Sequence, residues 1–186
     1  ILVTFHPVTL ENTTAQDQFQ ELLNFMDTLE DTHIIFTKAN SDTDGRVINQ
    51  MIDDYVSKNS FKSIGFTSLG QLRYLSALQY VDAVVGNSSS GLLEAPSFKI
   101  GTINIGERQK GRIQAASVID CKPLDQDISQ AFEKLYSIEF QRDLYNIKNP
   151  YGNGMASKQI IEVIKNIDLT NILKKSFYDF KMKDED

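Results

Sequence analysis

The stretch Val81-Asp82-Ala83-Val84-Val85-Gly86-Asn87-Ser88-Ser89-Ser90-Gly91 is an apolar run followed by a turn of small hydroxyl residues. A short apolar run with such a boundary is typical of a buried parallel strand. The following residues, Leu92-Leu93-Glu94-Ala95, predict the beginning of a helix. A strand, a tight turn and a helix in this order form the repeating unit of parallel α/β sheets.

The serine turn, defined here as residues 87–91, has the composition of an anion site. Its backbone N–H groups and the hydroxyls of Ser88, Ser89 and Ser90 would lie at the positive end of the expected helix, which suits a phosphate or diphosphate. Glu94 follows Ser90 by one helical turn and can face the same crevice, where a ribose diol is its natural partner. The alternative is a serine that caps a helix, with a surface glutamate.

A second polar loop follows the next expected strand, at residues 102–106. This arginine loop, defined as residues 107–112, contains Arg108, Arg112 and the glycine Gly111. Guanidinium groups are planar, always charged and bidentate, and therefore match phosphate oxygens. Because ligands bind at the carboxyl ends of strands in open α/β sheets, the two loops can meet over one ligand. A solvated charged loop is the alternative.

The remaining sequence continues the alternation of strands and helices, which predicts an α/β fold with a Rossmann-like, doubly wound parallel sheet. We expect one nucleotide-binding domain over residues 1–167 and a charged tail or extra helix over residues 168–186. Strands are expected at 1–5, 33–37, 63–66, 81–85, 102–106 and 117–120, and helices at 15–29, 46–57, 69–79, 125–137, 139–146 and 156–167.

Composition and charge narrow the class of protein. The chain has 186 residues, 41% hydrophobic content and a net charge of −6, which argues against a general nucleic-acid surface. A single cysteine, Cys121, excludes an intrachain disulfide and agrees with a cytoplasmic location. We see no apolar run near the ~20 residues that span a bilayer and no secretory signal. The chain begins without methionine inside an expected strand, which favours an excised domain.

Four segments together resemble the hydrolysing UDP-N-acetylglucosamine 2-epimerases. They are His6-Pro7-Val8-Thr9, the serine turn with Glu94, the loop Gly106-Glu107-Arg108-Gln109-Lys110-Gly111-Arg112, and Asn149-Pro150-Tyr151-Gly152-Asn153-Gly154. The likeness covers residues 1–167 in the family's order. It implies the C-terminal, UDP-binding half of a two-domain fold of the glycosyltransferase-B type, with the active site in the cleft between the domains.

The resemblance also implies roles for individual residues. His6 would be a catalytic-cleft residue close to the diphosphate, and the backbone of Ser68, Leu69 and Gly70 would contact the uracil edge. Ser88, Ser89, Ser90, Gly91 and the arginine loop would hold the diphosphate, and Glu94 the ribose. From the residues alone, His6 can equally end a strand, and residues 67–70 can simply cap a helix.

The implied reaction converts UDP-N-acetylglucosamine and water to N-acetylmannosamine and UDP, through elimination to a glycal, without a cofactor or a metal. The missing N-terminal domain would supply most acid–base carboxylates, so the chain alone is expected to be inactive; a full-length homo-oligomer is possible. The expected binding partners are UDP and a UDP-N-acetylhexosamine, and neither a nucleic acid nor a membrane is expected as a partner. Two alternatives stay open: the donor half of a glycosyltransferase, and a nucleotide-binding module without catalysis. The sequence does not separate N-acetylglucosamine from a modified sugar such as diacetylbacillosamine.

Two further patterns favour structural roles. Residues 40–45 resemble a calcium loop, but a strand-to-helix turn is the better interpretation, because position 53 is an aspartate where a calcium loop places glutamate. Tyr74 and Tyr80 are spaced as on a helix, which favours packing over base stacking.

Overall fold

The computed structural model describes residues 1–8, 14–40, 45–170 and 172–174. The chain forms two compact units, Ile1–Tyr151 and Gly152–Asp186. Several sequence-based expectations lie outside the described residues: Thr9 of the His-Pro-Val-Thr segment, positions 41–44 of the aspartate-rich turn, and positions 171 and 175–186 of the tail. The domain boundary at residue 167 stays a prediction.

In the first unit, helices alternate with the strands of a parallel sheet. The strands are β1 (Leu2–Thr4), β2 (Ile34–Thr37), β3 (Ser63–Phe66), β4 (Ala83–Gly86), β5 (Gly101–Ile105) and β6 (Val118–Cys121). The helices are α1 (Thr14–Thr28), α2 (Gly45–Lys58), α3 (Gly70–Ala77), α4 (Ser90–Leu93), α5 (Asp125–Leu135) and α6 (Ile138–Leu144), with a 3₁₀ turn over Ala95–Phe98. The second unit contains α7 (Ala156–Asn166), whose apolar side chains, such as Ile160 and Ile164, are exposed.

The strand order β3-β2-β1-β4-β5-β6 and the all-parallel pairing confirm the Rossmann-like, doubly wound sheet. The order reverses between β1 and β4, where Thr4 pairs with Gly86. A crevice opens outside the carboxyl ends of the strands at such a switch point. The sheet topology therefore places the ends of β1 and β4, and the loops that follow them, at the position where this fold binds ligands.

Both faces of the sheet are covered because side chains alternate along each strand. Ala83 and Val85 of β4 join the large apolar core beneath α1, α2 and α5, whereas Val84 packs with Leu78 and Ala95 on the opposite face. The large core contains the fully buried side chains Phe5, Phe19, Phe36, Leu22, Met26, Ile48, Ile52 and Ile103. Burial on two faces explains why β4 is a continuous apolar run in the sequence.

The helix expected after the serine turn is a single turn long. It begins at Ser90 rather than Leu92 and ends at Leu93, where the 3₁₀ turn takes over. Pro96 has no N–H to donate to the Leu92 carbonyl, so the α-helical pattern cannot continue. One turn sums few peptide dipoles, and the charge of a helix terminus therefore contributes little to the expected anion site.

Candidate functional site

Asn87 joins three loops at the switch point. Its side chain forms two hydrogen bonds with the backbone of His6: the His6 N–H donates to Oδ1 and the Asn87 Nδ2 donates to the His6 carbonyl, both at 2.7 Å. The Asn87 carbonyl accepts from Arg108 Nη1 at 3.1 Å and from Gln109 Nε2 at 2.7 Å. Asn87 is 1% exposed. The residue thus fixes the end of β1, the serine turn and the arginine loop against one another.

Two glycines allow this close assembly. Gly86 has a φ of +127°, and a Cβ at this position would lie 2.0 Å from the Thr4 carbonyl oxygen. A Cβ on Gly91 would lie 2.5 Å from Thr102 Cγ2, and the Thr102 hydroxyl donates to the Gly91 carbonyl at 2.8 Å. Gly91, a predicted UDP contact, therefore packs the serine turn against β5 and does not line the cavity described below.

A cavity of about 780 Å³ lies at the carboxyl ends of β1, β2 and β3 beside the serine turn. This volume is within the usual range for small-molecule sites. Six predicted binding residues line it: Ser68, Leu69, Gly70, Ser88, Ser90 and Glu94. The lining also includes Lys38 and Tyr74, which the sequence did not single out as ligand contacts, and Asn40, the first residue of the expected turn at 40–45.

Hydroxyl groups run along one wall of this cavity. The Tyr74 hydroxyl lies 2.5 Å from Ser90 Oγ, and Ser90 Oγ lies 3.2 Å from Ser88 Oγ. The Tyr74 ring packs against the cluster of Leu78, Val84 and Ala95, as expected, but Tyr80 is 87% exposed and the packing expected of it is wrong. The phenol thus connects the apolar core to the serine turn.

Glu94 is the acidic group of the cavity. Burial raises the pKa of its carboxyl above the ordinary value. Its Oε2 atom is buried and has no hydrogen-bond partner among the described residues. A carboxylate in this state gains most from a ligand that donates hydrogen bonds, such as a diol.

His6 and the basic residues of the arginine loop lie outside the cavity lining. The Arg108 guanidinium contacts the Asn87 carbonyl and so lies at the beginning of the serine turn. Arg112 is exposed, and its backbone N–H donates to the Gln109 carbonyl at 3.2 Å. Lys110 forms an exposed ion pair with Glu107. The structure therefore brings Arg108 and His6 to the serine turn through Asn87, but it does not bring Arg112 to the cavity.

Asn149 is hydrogen-bonded to the short helix and the 3₁₀ turn that follow the serine turn. Its Nδ2 donates to the Leu93 carbonyl at the end of α4 and to Ser97 Oγ, both at 2.7 Å. Tyr151 donates its hydroxyl to the Ile113 carbonyl at 2.8 Å, just beyond the arginine loop. Asn149 and Tyr151 thus contact the residues that follow the serine turn and the arginine loop.

Sequence reasoning missed Asn87, Gln109 and Tyr74. Asn87 and Gln109 stand inside the two motifs, but only burial shows that they hold the loops: Gln109 is 1% exposed in a loop of exposed charges. The hydroxyl contact of Tyr74 with Ser90 spans 16 residues and has no local signal.

A family model described as UDP-N-acetylglucosamine 2-epimerase matches residues 1–165. The chain belongs to the UDP-N-acetylglucosamine 2-epimerase family. This match confirms the resemblance seen in the motifs. Within the described residues, no group of three or more His, Cys, Asp or Glu side chains is arranged to hold a metal ion, and no helix is long and apolar enough to cross a membrane.

Two relatives show the extent of the similarity. The chain is 46% identical over 179 residues to the GDP/UDP-N,N'-diacetylbacillosamine 2-epimerase (hydrolyzing) of Campylobacter jejuni, with 96% of this chain and 46% of that protein covered. It is 36% identical over 180 residues to polysialic acid biosynthesis protein P7 of Escherichia coli, with 96% and 46% covered. The chain thus spans about half the length of these relatives.

Solved structures confirm the fold. The UDP-GlcNAc 2-epimerase of Methanocaldococcus jannaschii, crystallised with UDP-GlcNAc and UDP, aligns with a TM-score of 0.66 at 19% identity, covering 88% of this chain and 44% of that one. The chain therefore has the fold of about half of a two-domain epimerase of the glycosyltransferase-B type.

Proposed function

We propose that this chain is the nucleotide-binding half of a hydrolysing sugar-nucleotide 2-epimerase. The observation that carries the proposal is the joining of His6, the serine turn and the arginine loop through Asn87, beside a cavity of about 780 Å³. Ser88 and Arg108 would hold the diphosphate directly, with Ser90 beside them in the serine turn, and Glu94 would hold the ribose diol and the Ser68–Gly70 backbone the base. Ser89 lies in the same turn, where its backbone can contribute.

The reaction assigns clear tasks to these groups. A base removes the proton on sugar C2, the C1–O bond breaks and the nucleoside diphosphate leaves, which gives a glycal. Water then adds to C1, and C2 gains a proton on the opposite face. The departing diphosphate gathers negative charge, which the Arg108 guanidinium and the serine hydroxyls would stabilise. His6 would donate a hydrogen bond or a proton to it.

The base that acts at C2 would come from the other half of the complete protein. In this proposal His6 and the residues that would hold the diphosphate form one wall of the cleft, and a cleft enzyme needs groups from both walls in accurate positions. We therefore expect the chain alone to release no N-acetylmannosamine from UDP-N-acetylglucosamine. Measurable turnover by the purified chain would place the base on this half.

The sugar is proposed as an N-acetylated hexosamine. The name of the 46% identical relative contains diacetylbacillosamine as the sugar and GDP or UDP as the nucleotide. Diacetylbacillosamine therefore belongs beside N-acetylglucosamine among the substrates to be tested, and guanine beside uracil among the bases.

Calorimetry on the chain tests the proposal directly. UDP should bind more tightly than uridine, because the serine turn and Arg108 act on the diphosphate, and more tightly than ADP or GDP, because backbone groups contact the uracil. Circular dichroism shows that the titrated protein is folded. A folded chain that binds none of these nucleotides would refute the proposal, whereas equal affinity for UDP and GDP would refute only the base preference.

A further inference from the structure

Three hydroxyl groups form a connected chain between the apolar core and the cavity. Tyr74 extends from α3, and its hydroxyl lies 2.5 Å from Ser90 Oγ in the serine turn. Ser90 Oγ lies 3.2 Å from Ser88 Oγ, and the Ser90 N–H also points to Ser88 Oγ at 3.4 Å. All three side chains line the cavity.

The chemistry of the groups sets the direction of the protons. A phenol is a better proton donor than an aliphatic alcohol, so Tyr74 donates to Ser90. The Ser90 hydroxyl then directs its own hydrogen to Ser88 Oγ. Ser88 Oγ already accepts from two Ser90 groups, and its hydrogen is directed away from them. Hydrogen bonds in such a chain polarise one another and strengthen the terminal donor.

We propose that Tyr74 is a positioning residue, which acts through Ser90 to fix the Ser88 hydroxyl as a hydrogen-bond donor to the diphosphate of a bound nucleotide. This inference rests on the proposed function, because it assumes a diphosphate beside the serine turn. It gives the tyrosine a task that its ring, packed against Leu78, Val84 and Ala95, does not perform.

The surroundings keep Tyr74 in the donor form. Burial raises the pKa of the phenol to about 12; the hydrogen bond with Ser90 lowers the pKa and the nearby Glu94 carboxylate raises it, but burial is the largest effect. The phenol therefore stays protonated across the physiological range of pH. Because Glu94 faces the same cavity, an anionic ligand needs donors on the side of the serine turn, and that is the side where the chain of hydroxyls ends.

Removal of the phenol oxygen would break this chain of hydrogen bonds. In a Tyr74→Phe variant the ring still fills its place in the core, but Ser90 loses its donor. The Ser90 hydroxyl can then rotate, and the Ser88 hydroxyl can donate its hydrogen bond to Ser90 instead of to the ligand. The loss of one such neutral hydrogen bond corresponds to roughly a threefold to tenfold change in affinity.

The test compares UDP with uridine by calorimetry on the full chain. Tyr74→Phe should weaken UDP binding roughly threefold to tenfold, and uridine binding less than about twofold, because uridine has no diphosphate. Ser90→Ala should produce the same pattern. The double variant should lose no more than the larger single loss, because both changes break one chain. Tyr80→Phe removes a hydroxyl from an exposed ring and is the matched control.

Each result decides a separate point. Wild-type affinity for UDP in Tyr74→Phe would overturn the inference, as would equal losses for UDP and uridine or additive losses in the double variant. A wild-type chain that binds UDP no better than uridine would instead overturn the proposed diphosphate site, and the inference with it. Thermal unfolding of each variant separates loss of contact from loss of fold, and Ser90→Ala provides the answer if Tyr74→Phe does not fold.

Discussion

The side chain of Asn87 is hydrogen-bonded twice to the backbone of His6, a residue 81 positions earlier in the chain. Both bonds are 2.7 Å long, and together they join the residues that follow β1 and β4, the paired strands between which the strand order reverses. Because the Asn87 carbonyl also holds Arg108, the position of the histidine and the position of the arginine depend on one buried amide residue.

Replacement of Asn87 with alanine should destabilise the fold. The His6 N–H and carbonyl would lose their partners, and unsatisfied buried polar groups of this kind cost about 2–4 kcal/mol in total. Urea denaturation measures the loss. Asn24→Ala is the matched control, since Asn24 is exposed and bonds only to Gln20 among the hydrogen bonds described. Equal stability of the two variants would contradict the joining role of Asn87.

Replacement of Arg108 with alanine should weaken UDP binding by about 1.5–3 kcal/mol, the usual contribution of a hydrogen bond to a charged group. Uridine binding should change much less, because it has no phosphate for the guanidinium to contact. Lys110→Ala removes a cation from the same loop that is paired with Glu107, and should leave UDP affinity nearly unchanged. Equal losses for uridine and UDP would refute the phosphate role. Arg112→Ala, measured in the same way, tests the predicted contact of an arginine that does not line the cavity.

Replacement of Gly86 with alanine should be more damaging than replacement of Gly106. Both residues have a positive φ, +127° and +76°, but a Cβ at 86 would lie 2.0 Å from the Thr4 carbonyl oxygen, whereas a Cβ at 106 has no atom within 4 Å. We expect a loss of at least about 2–4 kcal/mol for Gly86→Ala, and about 1–2 kcal/mol for Gly106→Ala. Chemical denaturation measures both. Similar losses would show that backbone strain, not the contact with β1, decides the cost.

The Glu94 carboxylate should destabilise the fold at neutral pH and strengthen the binding of UDP. Burial raises the pKa of its carboxyl in the folded protein, so the folded state holds the proton more tightly than the unfolded chain. The resulting stability is present below the unfolded pKa of glutamate, about 4.3, and is lost as pH rises through the higher folded value. Glu94→Gln should therefore gain stability relative to the wild type at pH 7 and lose that advantage in acid.

Thermal unfolding at pH 7 and in acid measures the effect of Glu94→Gln on stability. Glu133→Gln, at an exposed glutamate, is the control. Glu94→Gln should bind UDP more weakly than the wild type does. The ligand 2′,3′-dideoxy-UDP, which lacks the diol, should bind the wild type and Glu94→Gln with equal affinity. A stability difference that does not change with pH, or an equal loss for the two ligands, would contradict these roles.

His6 should matter for turnover in a complete protein that carries both halves of the fold. His6→Ala should lower the rate of sugar release roughly 10²–10⁴-fold, the range for groups that transfer protons, while the fold survives, because Asn87 contacts only the backbone of His6 in the two bonds described. Chromatography of the released sugar measures the rate, and circular dichroism checks the fold. Wild-type turnover in His6→Ala would show that this histidine has no catalytic role and only follows β1.

Much of the fold could be predicted locally. The strand predicted at 81–85 is observed as β4, where Ala83, Val84 and Val85 are buried on the two faces of the sheet, and such an apolar run needs no distant information to be recognised as a parallel strand. The helix after the serine turn was predicted to begin at Leu92, but α4 begins at Ser90 and ends at Leu93, because Pro96 has no N–H to continue the helix. Tyr80 was expected to pack because its spacing from Tyr74 fits a helix, but α3 ends at Ala77 and leaves Tyr80 exposed.

The sequence by itself determined the class of fold, the positions of the serine turn and the arginine loop, and the likeness to the epimerase family. These follow from residue type and spacing, since strand burial, turn composition and charge act over a few neighbouring residues. Only the tertiary structure decided that Asn87 holds His6 and Arg108 together, that Tyr74 reaches Ser90, and that Arg112 does not line the cavity. The physical reason is that a hydrogen bond depends on separations of about 3 Å, and the order of strands in the sheet, not distance along the chain, sets those separations.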